Sequence, residues 1–175
     1  MKLFLLTALL ASHLSAGDAP RVPVEAIKQI EASTDARFAV EPWDSLGDTR
    51  GSYLPGYGAV FTFEMSLIQV TPISPFHAAP TPAEIKTVHE RKLKQLAVLK
   101  STLREMLCKA ATSLSTLPGT EQITFEAYLF NQSYEDHTGL PHRLMITANR
   151  QKLVDAVARH ASQQELASLV QEQEE

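Results

Sequence analysis

Four side chains in one stretch have the chemistry to hold a metal. Glu135, Asp136, His137 and His142 lie within the polar run Asn131-Gln-Ser-Tyr-Glu-Asp-His-Thr-Gly-Leu-Pro-His142. Imidazole and carboxylate together suit Zn²⁺, and such a set would serve a metal-dependent hydrolase. Nothing in the spacing fixes their geometry, however. No His-x-x-x-His lies on a helix and no paired Cys accompanies them. The plainer reading of residues 131–142 is an exposed connection between two strands, so no metal and no cofactor is expected and the hydrolase is the alternative.

A second stretch is distinctive for its backbone. In Leu54-Pro55-Gly56-Tyr57-Gly58, Pro55 and Gly56 fit the second and third positions of a type II turn. Gly56 and Gly58 flank Tyr57 and let the chain bend sharply, either packing the ring as a lid or presenting it for binding. This is not a phosphate loop, because no Lys-Ser/Thr follows and no strand precedes it. Pro55, Gly56, Tyr57 and Gly58 are therefore the candidate binding residues. Leu117-Pro118-Gly119 repeats part of the pattern before Thr124-Phe125-Glu126. The gap differs by one residue, which would put an aligned strand on its opposite face, so the two read as independent turns.

The segment Tyr53-Leu-Pro-Gly-Tyr-Gly-Ala-Val-Phe61 resembles one found in exported bacterial proteins to which no function is attached. The resemblance covers this segment and the strand after it, and implies no catalytic residue, cofactor or substrate. Other nucleophilic chemistry finds little footing. No Gly-x-Ser-x-Gly elbow occurs. The single cysteine, Cys108, falls beside the apolar stripe of a helix, where a thiol is usually structural. Trp43 and His77 lie in loops and read as ordinary packing or surface residues.

The elements that must position these residues follow from periodicity. A short helix is expected over residues 24–32, opened by Pro23, after a flexible lead-in from residue 18. A short strand over 38–40 and a loop over 44–56 come next. Residues 59–70 alternate, with Phe61, Phe63, Met65 and Leu67 on one face and Thr62, Glu64 and Ser66 on the other. Four prolines make residues 71–82 an extended crossover. Thr81-Pro82-Ala83-Glu84 is a capping box with proline at the first helical position. It opens a helix over 82–116 whose stripe runs through Ile85, Val88, Lys92/Leu93, Leu96, Leu99, Leu103 and Leu107. A stripe of that width belongs on a sheet, and a coiled-coil dimer is the lesser reading. Strands follow over 123–130 and 143–147. Asn149 caps a helix to about residue 161, Ser162 opens a last helix to residue 170, and residues 171–175 are expected to fray. With the first two of the three principal strands parallel, this is an α+β, two-layer sandwich. A small mixed sheet (β-α-β-β core) carries one long helix and C-terminal helices, in one domain over residues 38–175.

The chain has 175 residues, 16 basic and 20 acidic, for a formal charge of −4. Lys2, an apolar run from Leu3 to Ala11, and small residues at Ser15-Ala16-Gly17 form the pattern of a cleavable signal peptide over 1–17. Cleavage is expected after Gly17, with Ala16 and Ala19 as alternatives. That removes one base and takes the charge to −5, which disfavours nucleic acid and anionic lipid. The run is too short to span a bilayer, and no second one is long enough. Cys108 lies too far along for lipid attachment at the export signal. The expectation is a protein of the periplasm or exterior, without an intrachain disulfide. Its reading is a non-enzymatic binding domain whose partner is another envelope protein.

Overall fold

A computed structural model describes residues 22–69 and 79–175. The expected signal peptide, residues 18–21 of the lead-in, most of the crossover and His77 lie outside the described residues. The chain runs α1 (Val24–Phe38), β1 (Asp44–Ser45), β2 (Arg50–Leu54), β3 (Gly58–Ser66), α2 (Pro82–Ser113), β4 (Gln122–Leu129), β5 (Arg143–Asn149), α3 (Arg150–Ala158), α4 (Gln163–Leu169) and β6 (Gln171–Glu174). The fold is α+β, with a six-stranded mixed sheet, as the alternation and the long stripe imply.

The centre of the sheet is the parallel pair β3–β4, in register from Gly58↔Gln122 to Met65↔Leu129. Parallel neighbours need a long crossover, and α2 lies between them in sequence. β5 returns antiparallel to β4, matching Ile123↔Ala148, Phe125↔Ile146 and Ala127↔Leu144. These registers bring Phe61, Phe125 and Ile146 into one row on the inner face, all fully buried. Phe61 and Phe125 stack with centroids 5.1 Å apart. The α2 stripe meets this face through Leu96, Leu99, Leu103, Met106 and Leu107. It is thus occupied by the chain's own core, and the coiled-coil reading loses its seam.

Three caps form as their residue types dictate. Thr81 Oγ1 accepts from Glu84 N–H at 3.3 Å, while the Glu84 carboxylate accepts from Thr81 N–H at 2.7 Å. Ser162 and Glu165 repeat the reciprocal arrangement. Asn149 Oδ1 accepts from Lys152 N–H at 3.1 Å. Each satisfies helix-terminal donors that would otherwise lack partners.

Three expectations need correction. The first helix does not stop at residue 32 but runs to Phe38, so residues 38–40 form no strand. Ser33 and Thr34 are weak helix formers, yet their hydroxyls donate back to Ile30 O, and Thr34 is buried. Packing of Phe38 against Phe63 (5.0 Å, stacked) and Trp43 (5.6 Å, edge-on) draws the helix on. Because Ile27, Ile30 and Phe38 share the core with the sheet, α1 is part of the same folded unit.

Second, residues 44–56 are not all loop. β2 pairs with β3 from Arg50↔Thr62 to Leu54↔Gly58, and β1 adds Asp44↔Ser66. The inward positions of β2 are Gly51 and Tyr53, so no apolar alternation announces the strand. A Cβ at Gly51 would lie 2.4 Å from the Ile27 side chain, which shows how closely α1 rides on this strand. Carboxylates of α1 then satisfy backbone donors beside it: Glu31 accepts from Gly51 N–H at 2.6 Å and Asp35 from Thr49 N–H at 2.8 Å.

Third, the C-terminal residues do not fray. β6 pairs with β5 from Leu144↔Glu174 to Thr147↔Gln171. Lys100 pairs with both Glu172 and Glu174, and Arg104 meets Glu172 at 2.8 Å. Burial alone would raise the Glu172 carboxyl. The hydrogen bonds and charges of Lys100 and Arg104 outweigh it and hold the group below the usual carboxylate value. A depressed carboxylate stabilises the fold above its unfolded value, near 4.3, and that contribution disappears as pH falls through the folded value. Amide exchange across β6 should therefore accelerate on acidification below about pH 4 while β3 and β4 stay protected. Equal loss of protection in all three strands would refute the separate tether.

Candidate functional site

The Pro-Gly-Tyr-Gly segment forms the expected turn at the amino ends of β3 and β4. Leu54 O accepts from Tyr57 N–H at 3.0 Å, and Gly56 has φ +81°, as the third position of a type II turn requires. Gly58 has φ +140°, and a Cβ there would fall 1.8 Å from Gln122 O. Only glycine allows β3 to start this close to β4.

Neighbouring groups fix the turn further. Glu121, which is buried, accepts from Gly56 N–H at 2.9 Å and from the Tyr53 hydroxyl at 3.2 Å through the same oxygen. Burial and this carboxylate raise the Tyr53 phenol above its ordinary value, so it remains a donor. Tyr57 O accepts from Gln122 N–H at 2.8 Å. The Tyr57 hydroxyl lies 3.1 Å from Thr124 Oγ1, itself 2.9 Å from Thr147 Oγ1, on the sheet face away from α2. Leu54 and Tyr57 nevertheless remain 50% and 39% exposed. The turn thus holds two apolar side chains outward on an anchored backbone.

The second candidate separates into unrelated roles. Glu135 leaves the surface and forms a buried ion pair with Lys92 of α2. Lys92 Nζ also donates to Asn131 Oδ1 at 2.9 Å and to Phe130 O at 3.4 Å. Burial pulls the Lys92 amine below its ordinary value, and the bond and charge of Glu135 oppose that. Asp136 instead accepts from Thr138 N–H at 2.9 Å, and that bond heads the causes that lower its carboxyl. His137 bonds Gln132 O at 3.0 Å and meets His142 edge-on at 5.9 Å. Among the described residues, no three His, Cys, Asp or Glu side chains are grouped to hold a metal. The four residues that favoured a metal by type do not converge, because Lys92 has claimed Glu135.

Lys92 is the residue that sequence reasoning undervalued. At its place in the stripe it alternates with Leu93, and the stripe alone favours the leucine as the inward residue. The structure reverses this: Lys92 is 1% exposed and Leu93 is 39% exposed. A polar residue at an apolar position of the stripe was the available signal. Cys108 stays beside the core, half-buried, with its thiol raised first by burial and then by Glu105. Trp43 is a core residue, 3% exposed.

Compared with protein families, with curated proteins and with solved structures, the chain matches none. Function must therefore be argued from these residues.

Breaking a buried pair leaves an uncompensated charge, whereas replacing both partners removes the desolvation cost as well. Lys92→Met should destabilise the protein by about 3–5 kcal/mol in urea denaturation. Adding Glu135→Leu to it should restore most of that loss. A double variant no more stable than Lys92→Met would show that the cost lies in packing, not in the stranded carboxylate.

Proposed function

We propose that the chain is an exported binding domain without catalytic activity, and that it presents the Leu54–Gly58 turn to another protein of the cell envelope. One observation carries the reading: Leu54 and Tyr57 stay exposed on a turn whose backbone is held by Glu121 and Gln122. Exposed apolar side chains on a pre-ordered backbone bind with little ordering entropy, and tyrosine suits this role because its ring is large, rigid and amphipathic. The dispersal of Glu135, Asp136, His137 and His142 favours this reading over the metal-dependent hydrolase. Among the described residues no helix is long and apolar enough to cross a membrane.

Export itself has a direct test. Mass spectrometry of the protein recovered from outside the cytoplasm should find Asp18 at the N-terminus, and an intact Met1 there would rule out cleavage. For partner recognition, Tyr57→Ala removes a part-exposed ring and its hydroxyl contact with Thr124, and should lower the melting temperature by a few degrees while leaving the protein folded. Immobilised wild-type protein should enrich a defined partner from envelope extract, and Tyr57→Ala should reduce that capture at least tenfold, as expected for a central aromatic anchor. Equal capture by both proteins, or none by either, would overturn the proposal.

A further inference from the structure

Two side chains that contact Lys92 each keep a buried polar atom without a partner. Asn131 Nδ2 and Glu135 Oε1 are shielded from solvent and make no hydrogen bond among the described residues. Protein interiors pair nearly all such groups, so two orphans around one buried amine call for a reason. The side chains of Lys92 and Glu135 are each 1% exposed. Lys92 Nζ bonds the other oxygen of Glu135 and lies 2.9 Å from Asn131 Oδ1. An ammonium only donates, so it faces the amide oxygen and leaves the amide nitrogen turned away.

An amine, an amide carbonyl and a carboxyl group thus share one dry cluster. These are the three groups that transfer of an acyl group from one amine to another requires. The loop that carries two of them is also held against α2 a turn away, where His89 Nδ1 bonds Asp136 O at 2.9 Å. Amine and amide are therefore kept within reach of each other, which replaces a collision by a small side-chain rotation. We propose that Lys92 and Asn131 become joined by an intramolecular amide bond, with Glu135 carrying the protons and ammonia as the leaving group.

The step balances within the cluster. The ammonium proton of Lys92 passes to Glu135, leaving a neutral amine beside a neutral acid. Burial favours this form, since it pulls the Lys92 amine below its ordinary value. The Nζ lone pair attacks Asn131 Cγ, the Nζ–Cγ bond forms, and the carbonyl electrons move onto Oδ1. Glu135 then gives its proton to Nδ2 and takes one from Nζ. The carbonyl reforms, the Cγ–Nδ2 bond breaks, and ammonia departs. No oxidant or further reactant takes part. Carboxylate oxygen and amide nitrogen, the two orphans, are the atoms between which that proton moves. The ion pair is the state before reaction, and it is the state in which Lys92→Met and its double variant are compared. The new bond would close a loop of 39 residues in a chain whose lone Cys108 can form no internal disulfide. It happens once per molecule and is independent of partner binding at the Leu54–Gly58 turn.

Intact-mass measurement and tryptic mapping test the proposal on the folded full-length or mature protein, held for several days at neutral pH. The wild type should lose the mass of one ammonia. Trypsin should release residues 92–94 joined to residues 110–143, with Lys92 left uncut. Asn131→Ala leaves the ion pair in place, and it should stay folded and lose no ammonia between these peptides. Glu135→Gln should form the joined peptide at least a hundredfold more slowly, as expected for losing a proton carrier. Wild-type protein held in urea should not form it. If Glu135→Gln does not fold, the wild type and Asn131→Ala decide the matter alone. The proposal is overturned if folded wild type yields only separate peptides, if it loses water through a Lys92–Glu135 link instead, or if folded Glu135→Gln or the urea-held chain joins at the wild-type rate.

Discussion

The parallel pairing of β3 with β4 is the constraint from which the rest of this fold follows. Two parallel strands cannot be joined by a tight turn, so the chain must leave the sheet and return at its starting end. α2 makes that return and lays its stripe on the inner faces of both strands. The register of the pair aligns Phe61 with Phe125, and β5 extends the same row with Ile146. A slip of one residue would turn the apolar set of the slipped strand away from the core. Gly58 is where the pairing begins, and it tolerates no side chain because Gln122 O occupies the space. The distinctive turn is therefore first a condition of the fold, and its outward side chains are carried on that requirement.

Much of the architecture was legible. Alternation located β3, β4 and β5, and capping boxes located the starts of α2 and α4. The elements that were missed share one physical cause. β2 has glycine and tyrosine at its inward positions, and β6 has only Gln and Glu, so neither carries an apolar pattern. Both are held by groups distant in sequence: β2 by Glu31 and Asp35 of α1, β6 by Lys100 and Arg104 of α2. The last turns of α1 form for the same reason, since Phe38 is buried by Trp43 and Phe63 rather than by local propensity.

The candidate sites were legible to different degrees. The type II geometry followed from Pro55 and Gly56 alone, because those residues have few other conformations. Glu121, which holds the turn, could not be foreseen, being 65 residues from Gly56 along the chain. The polar loop misled for a related reason. Its residue types were right for a metal, but the choice among partners belonged to Lys92, a cation that the helix delivers from outside the loop. A buried amine attracts the nearest carboxylate more strongly than a loop can organise four ligands, since an unpaired buried charge is so costly.

The acidic composition of β6 has a consequence for how the molecule behaves in a crowd of its own copies. Its outer edge is a row of backbone groups able to template another strand. Three glutamates in residues 171–175 line that edge with charged, ion-paired side chains, which are costly to bury against a second strand. Lys100 and Arg104 neutralise Glu172 from the helix side and Arg143 meets Glu175, so the charges that pin the strand also help to fill its flank. Among the described residues β6 is the strand at this side of the sheet, and its charges disfavour the edge as a seed for assembly.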